Sequence, residues 1–170
     1  MHATRTTVGL ALLVGLALTL GIGRFAAAEW PAAAMSAEGT RQTVTAYAEA
    51  VLGNDAYETF FADDIVVTMA DTGQQTKGAA AAKQAIDGLH RAAFDAAPVL
   101  AGLVAGEGEA ALEWRLVGTH TGEFAGFAPT GQEIDVSYGA FVELRDGKIT
   151  ALRLYGLTDG LLHQLREAAR

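Results

Sequence analysis

Three polar side chains of this chain are of types that can act on a carbonyl compound. His120 ends an apolar-patterned stretch beside a glycine-containing loop, where an imidazole can polarise a carbonyl, exchange a proton near neutral pH, or only hydrogen-bond the loop. Tyr47 can donate a hydrogen bond to a carbonyl oxygen, although tyrosines of amphipathic helices are also ordinary core residues. Asp71 can reach the mouth of a pocket, yet Asp71-Thr72-Gly73 is also a turn signal. These three residues are the candidate catalytic groups.

The sequence contains no pattern that is typical of a metal or cofactor site. The chain has no cysteine, which excludes disulfides, thiol nucleophiles and thiolate metal sites. The other histidines, His2, His90 and His163, are not paired at the spacing of metal ligands. Gly106-Glu107-Gly108 lacks the strand, helix and acidic partner of a nucleotide-binding fingerprint. We therefore expect no metal and no cofactor.

Composition and charge narrow the class of protein. The chain has 170 residues, of which 51% are hydrophobic, a length typical of one domain and a composition too apolar for intrinsic disorder. Lys and Arg number 12 against 20 Asp and Glu, for a formal net charge of -8. Because binding to a phosphate backbone needs clustered basic residues, we expect no nucleic-acid partner.

The first 28 residues differ from the rest of the chain. Arg5 precedes an uncharged run over 8–23, and Ala26-Ala27-Ala28 supplies the small residues of a cleavage site. The run is shorter than the roughly 18–20 residues that span a bilayer. This favours a signal peptide over 1–28, a linker over 29–38, a domain over 39–168 and a secreted or periplasmic protein. Arg24, between the apolar run and the cleavage site, leaves open that the segment stays uncleaved as an anchor. We expect membrane contact only through such an anchor.

Apolar spacing predicts the elements that must position the candidate groups. Val44, Tyr47, Ala48 and Val51 recur at three- and four-residue spacing, which predicts a helix over 40–52. The pattern then predicts a short helix after Asp55, a strand over 65–69, and a helix over 78–96 that Pro98 closes. The remainder is typical of strands over 99–104, 110–121, 134–145 and 148–155, and of a helix over 160–169. Helices followed by antiparallel strands indicate an α+β fold with helices packed on one face of the sheet.

Alternation along two of the predicted strands groups residues on one buried face. In 134–145 the even positions include Ile134, Val136 and Tyr138, whereas the odd positions are largely polar. Such alternation means that one face of the sheet is covered. The same reasoning places Trp114, Leu116 and His120 together on the neighbouring strand. Asp146-Gly147 predicts a tight hairpin turn between the last two strands.

Four segments of the chain carry a family resemblance. They are Phe60-Phe61-Ala62-Asp63-Asp64, Gly118-Thr119-His120-Thr121-Gly122 with Pro129-Thr130-Gly131, Asp146-Gly147-Lys148-Ile149 and Gly160-Leu161-Leu162-His163-Gln164-Leu165. In this order they resemble the SnoaL-like polyketide cyclase family over about 40–165. The resemblance implies the cone-shaped nuclear transport factor 2-like fold, a curved antiparallel sheet with helices packed on one face. It also implies a pocket between sheet and helices and, often, a homodimer.

The resemblance implies a reaction whose expected acid is missing from the chain. SnoaL-like cyclases perform an intramolecular aldol closure with an acidic residue, typically in a His-x-Asp pattern on the last strand, and these positions fall on Leu152 and Leu154. The related ketosteroid isomerases carry an oxyanion-binding tyrosine on a helix that Tyr47 matches, but their general-base aspartate would fall on Met69. Limonene-epoxide-hydrolase-like chemistry needs an Asp-Arg-Asp cluster, of which only Arg153 is suitably placed.

Two functions of different classes remain open. The first is an exported protein that binds an apolar, carbonyl-containing small molecule and is non-catalytic or weakly catalytic. The alternative is an acid/base enzyme for aldol cyclisation or isomerisation that uses His120 and Tyr47, with Asp71 as a further group. Leu152, Leu154 and the expected signal peptide favour the first function, whereas the family resemblance favours the enzyme. The expected ligand-binding residues are Trp114, Leu116, Val136, Tyr138, Leu152 and Leu154.

The N-terminal pattern predicts where the mature protein begins. Cleavage after Ala28 leaves Glu29 as the first residue of a protein found outside the cytoplasmic membrane. Intact-mass and N-terminal analysis of the exported protein measures this directly. Recovery only of a full-length species that needs detergent would show that the apolar run is an anchor instead.

Overall fold

A computed structural model describes residues 35–53 and 55–168 of the chain. The expected signal peptide, the cleavage after Ala28 and most of the expected linker lie outside the described residues. Within them, no helix is both long enough and apolar enough to cross a lipid bilayer.

The described residues form three α-helices and six strands. The helices are α1 (Ala37–Gly53), α2 (Ala79–Asp87) and α3 (Leu157–Ala168). A 3₁₀ turn over Tyr57–Phe60 precedes the first strand, and a π-helical segment over Gly88–Ala93 continues α2. The strands are β1 (Phe61–Met69), β2 (Gln74–Lys77), β3 (Phe94–Ala105), β4 (Glu109–His120), β5 (Glu133–Arg145) and β6 (Lys148–Tyr155).

The six strands form one sheet in the order β2-β1-β6-β5-β4-β3. Neighbours pair antiparallel except β1 and β6, which run parallel. A parallel pair is allowed there because the whole β2-to-β5 segment separates the two strands, whereas a tight hairpin forces its strands antiparallel. The expected α+β class is confirmed, with the helices on one face of a curved, open sheet.

The alternation in β5 confirms the predicted buried face. All six even positions from Ile134 to Leu144 are buried, while most odd positions are exposed. The predicted β5–β6 hairpin is also present. Asp146 and Gly147 have φ of 52° and 75°, the left-handed values that a two-residue turn between twisted strands requires.

The predicted helix over 78–96 is wrong at its C-terminal end. The α-helix stops at Asp87 and the π-helical segment at Ala93, because Phe94 begins a twelve-residue strand that pairs with β4 along its length. Pro98 lies inside this strand instead of closing a helix. It is tolerated because β3 is an edge strand, where a missing N–H need not break the ladder. Long-range pairing here overrides the helix propensity of the alanines.

Two glycines allow close backbone approach around the end of β4: Gly118 lies against the start of β3, and Gly122 lies against the end of the π-helical segment. A Cβ on Gly118 would lie 2.2 Å from the backbone oxygen of Asp95, and one on Gly122 would lie 1.9 Å from that of Ala92. Real Cβ atoms do not approach backbone this closely, so any side chain at either position would require the main chain to move. The glycines that bracket the Gly118–Gly122 segment therefore serve packing.

Candidate functional site

A cavity of about 320 Å³ lies between the inner face of the sheet and the helices. Strands β1, β2, β4, β5 and β6 contribute to its lining, together with α1, α2, the π-helical segment and the first residue of α3. Among the described residues that line it there is no Asp, Glu, Lys or Arg. The volume is within the usual range of small-molecule sites.

Five of the predicted site residues meet in this cavity. Tyr47 reaches it from α1, Trp114 from β4, Tyr138 from β5, and Leu152 and Leu154 from β6. All five are less than 9% exposed. Trp114 and Tyr138 are direct partners across the β4–β5 ladder, so their side chains are neighbours on the inner face.

Leu116 and Val136 are buried but do not belong to the cavity lining. They are direct partners on β4 and β5, two residues along the ladder from Trp114 and Tyr138 and on the same face. Val136 lies under α3, since a Cβ on Gly160 would come within 2.5 Å of its Cγ1 atom. The position of α3 therefore assigns Val136 to the core, and its ladder partner Leu116 is buried beside it.

Asp71 lies in the turn between β1 and β2 and outside the cavity lining. Its carboxylate accepts hydrogen bonds from the backbone N–H groups of Gly156, Thr158 and Asp159, at 2.8, 3.0 and 3.3 Å. These are among the donors that a helix N-terminus leaves unpaired, and negative charge is favourable there. Asp71 therefore caps α3 from a distant turn, and Asp159 lies inside the first turn of the helix.

His120 is fully buried at the end of β4 and also lies outside the cavity lining. The backbone N–H of Thr130 donates to its Nδ1 atom at 3.3 Å, and the Thr130 hydroxyl lies 3.0 Å from the same nitrogen. Its ring packs against Phe94, with the centroids 5.0 Å apart. In this arrangement His120 ties the 121–132 loop to the sheet, which is the structural role among those that the sequence allowed.

Two tyrosine hydroxyls in the cavity are free to meet a ligand. Neither the Tyr47 nor the Tyr138 hydroxyl hydrogen-bonds another described residue. Burial raises the pKa of Tyr47 well above its ordinary value, and burial together with the nearby Tyr47 raises that of Tyr138. Both groups therefore remain protonated donors across the physiological range.

Sequence reasoning did not select His90, Gln74 and Thr76, the other polar members of the lining. Gln74 and Thr76 come from β2, a short polar edge strand without an apolar pattern. His90 lies four residues after Ile86 on the predicted helix, a spacing that places both on one helix face. Its helical spacing from an apolar residue was the available signal.

The electrostatics around His90 favour its neutral form. Burial lowers the pKa of His90 to about 4, with Asp87 opposing the change and Arg91 adding to it. Asp87 is held by the Tyr57 hydroxyl, which donates to its carboxylate at 2.8 Å, and by Lys83, four residues earlier on the helix. Burial opposes ionisation of Asp87, but hydrogen bonds from Lys83 and Tyr57 give it a pKa below the usual value.

In the part of the chain that the structure describes, no three His, Asp or Glu side chains cluster so that they could hold a metal ion. The described cavity lining supplies neutral hydrogen-bonding groups and apolar surface. Such a site can orient a polar atom of an otherwise apolar molecule.

Solved structures show the same architecture. The structure of AclR from Streptomyces galilaeus, a protein assigned as a hydroxylase, matches with a TM-score of 0.64 at 24% sequence identity. The match covers 78% of this chain and 98% of AclR. The structure of a protein from Xanthomonas campestris, assigned as a polyketide cyclase, matches with a TM-score of 0.64 at 23% sequence identity. The match covers 76% of this chain and 98% of that one. The structure of a protein from Kribbella flavida, assigned as a ketosteroid isomerase, matches with a TM-score of 0.55 at 18% sequence identity. The match covers 69% of this chain and 77% of that one. The described part of the chain therefore has the nuclear transport factor 2-like cone fold.

The family within this class follows from the sequence match. The SnoaL-like polyketide cyclase family matches residues 40–165, which is most of the chain. The chain therefore belongs to that family, as the four segments in the sequence predicted. No protein of curated function matches it.

The lowered pKa of His90 predicts an acid-dependent loss of stability. Because the folded value of about 4 lies below the ordinary 6.5, the unfolded chain takes up the proton first, and the contribution of His90 to stability falls as pH drops from about 6.5 to about 4. We expect an NMR titration of its ring protons to give a midpoint near 4. Urea unfolding should show that the His90→Gln variant loses less stability over this interval than the wild type. A midpoint at or above 6.5 would contradict the prediction.

Proposed function

We propose that the protein is exported and binds an apolar small molecule that carries a carbonyl group, with no turnover or weak turnover. The observation that carries this proposal is the composition of the cavity lining: mostly apolar side chains, unpaired tyrosine donors and no charged residue among those described. An apolar pocket with a few convergent polar groups is the usual form of a small-molecule site.

The chemistry of the lining supports a carbonyl in particular. Tyr47 and Tyr138 offer O–H donors that no described residue satisfies, and an acceptor-only carbonyl oxygen can use both. A carboxylate ligand would require its charge to be desolvated without a cationic partner among the described lining residues, which is costly. An uncharged ketone or related carbonyl compound avoids that cost.

Leu152 and Leu154 support binding over the family's aldol chemistry. Both line the cavity, and by resemblance they occupy the positions where SnoaL-like cyclases have the His-x-Asp pair. Apolar side chains there extend the surface that a ligand covers, at about 25 cal/mol per Å² of apolar area removed from water. They cannot transfer a proton.

An acid/base enzyme of the cyclase or isomerase type is the second candidate. The observation in its favour is the pair of protonated tyrosine hydroxyls, Tyr47 and Tyr138, in one cavity, because such donors stabilise an enolate oxygen. His120 and Asp71, the expected partners of Tyr47, lie outside the described lining and make structural hydrogen bonds. This candidate therefore needs another proton acceptor.

Binding should tolerate the loss of His120 better than a carboxylate at Leu154. His120→Ala removes a contact outside the cavity lining, whereas Leu154→Asp loses apolar contact worth about 1.5–3 kcal/mol and introduces an unpaired charge. We expect affinity for 2-tetralone, an apolar bicyclic ketone, to fall about 10-fold or more in Leu154→Asp, and less than about threefold in His120→Ala. Isothermal titration calorimetry measures both.

A neutral variant of the same shape separates charge from lost contact. Leu154→Asn should bind 2-tetralone more tightly than Leu154→Asp, with circular dichroism confirming that all variants fold. Unchanged affinity in Leu154→Asp would contradict the proposed cavity. Abolished binding in a folded His120→Ala variant would place His120 at the ligand after all.

We also propose that the outer face of the sheet pairs two copies of the chain. Val99, Val117 and Tyr155 lie on this face and are 44%, 39% and 48% exposed. Phe141 shares the face and is covered in part by the guanidinium of Arg153, 4.9 Å above its ring. Exposed apolar residues on one sheet face are typical of an interface, and a two-fold arrangement would cover both copies.

A charge on this face should therefore separate the copies. Sedimentation velocity at micromolar concentration should give a dimer for the wild type and for Leu52→Lys, which changes an exposed apolar residue of α1. Val117→Lys should give a monomer, because a buried lysine without a partner opposes association. A strictly monomeric wild type would refute the proposed assembly.

A further inference from the structure

We propose that His90 transfers protons in the cavity: it removes a proton from the carbon next to the carbonyl of a bound ketone and returns it, while Tyr47 and Tyr138 hydrogen-bond the oxygen. The activity is enolisation, and the substrate class is apolar ketones with a hydrogen on that carbon. The inference rests on the proposed function, since the ketone must first bind in the cavity.

The composition of the lining singles out His90. Its titratable members, within the described ranges, are Tyr47, Tyr138 and His90. The tyrosines stay protonated because burial raises their pKa, so they can donate but not accept a proton. His90 is unprotonated at neutral pH, because burial lowers its pKa to about 4, and it is therefore the member of this set that can act as a proton acceptor.

The ring of His90 is available for this role. Neither of its nitrogens hydrogen-bonds another described residue, and neither is a fully enclosed unpaired atom. His120 differs on both counts, because its Nδ1 accepts from Thr130 and its Nε2 is enclosed away from the cavity lining. His90 also lies in the π-helical segment. π-Helical turns occur frequently at functional sites.

One charged group near His90, the carboxylate of Asp87, partly offsets the burial that disfavours a positive charge on the ring. Asp87 precedes it by three residues and is fixed by Tyr57 of the 3₁₀ turn and by Lys83 of α2. The Asp87 carboxylate favours the imidazolium, whereas Arg91 opposes it. The charge therefore forms beside an anchored carboxylate and opposite the developing enolate, which lowers the cost of separating charge in the cavity.

The proposed step balances without any co-reactant. An unprotonated ring nitrogen of His90 takes the proton, and the C–H electron pair forms the C=C bond of the enolate. The carbonyl π electrons move to oxygen, which accepts hydrogen bonds from the Tyr47 and Tyr138 hydroxyls. Return of the proton to the same carbon restores the ketone. Exchange of the imidazolium with solvent before that return replaces hydrogen by deuterium in D₂O.

Deuterium exchange of 2-tetralone tests the inference. NMR in D₂O should show that the wild type accelerates loss of the protons next to the carbonyl over buffer alone. His90→Gln and His90→Asn, which cannot serve as the base, should lower the protein-catalysed rate about 100-fold or more. His163→Gln makes the same change at an exposed histidine of α3 and should leave the rate unchanged.

Two further readouts separate proton transfer from a structural role of His90. The exchange rate in the wild type should fall as pH drops through about 4, where His90 becomes protonated, and this inflection should be absent from the residual rate of His90→Gln. Tyr47→Phe should lower exchange about 10-fold or more while 2-tetralone still binds, because it removes a donor to the enolate.

Calorimetry with 2-tetralone distinguishes failure of this inference from failure of the proposed function. Binding within about threefold of wild type in a folded His90→Gln variant, with exchange lost, supports proton transfer. Binding to the wild type without accelerated exchange overturns the role of His90 and leaves the binding function standing, as does wild-type exchange in His90→Gln. Absence of binding to the wild type overturns both.

Discussion

The cost of taking charge out of water governs how this protein can use its cavity. A carboxylate or ammonium group enclosed by apolar side chains loses hydration that only a close partner can replace. The described lining accordingly contains no acidic or basic residue other than a histidine, and burial keeps that histidine neutral. The same burial keeps the hydroxyls of Tyr47 and Tyr138 protonated. An uncharged ligand and uncharged protein donors suit each other in such a space.

Two carboxylates outside the described cavity lining connect the elements that form its walls. Asp71 satisfies three backbone N–H groups around the start of α3, and this fixes Leu157 where the helix meets the cavity. Asp87 accepts from Tyr57 and Lys83 and so joins the 3₁₀ turn to α2. Each connection links segments far apart in sequence. The wall that carries His90 is thus supported by polar contacts made outside the lining.

The family's sequence segments and the candidate chemistry occupy different residues. Gly118 and Gly122 are required where backbone passes within contact distance, and His120 between them holds the neighbouring loop. Asp146 and Gly147 form the hairpin turn. In these segments the named residues therefore shape the backbone. The groups that face the cavity, Tyr47, Tyr138 and His90, lie outside those segments, which is consistent with one fold serving ligands of different chemistry.

The sequence by itself determined the fold class, the buried face of β5, the β5–β6 turn and the inward direction of Trp114 and Tyr138, because periodicity and turn chemistry are local properties. The cavity positions of Tyr47, Leu152 and Leu154 followed from the family resemblance. Only the tertiary structure decided the rest. The end of the predicted helix over 78–96 is part of β3 because it pairs with β4. Val136, which was expected in the cavity, lies in the core because α3 packs on it. Asp71 and His120 took structural partners that lie far along the chain or across a loop. His90 joined the lining because the π-helical segment packs over the sheet, a relation between distant segments that no local pattern contains.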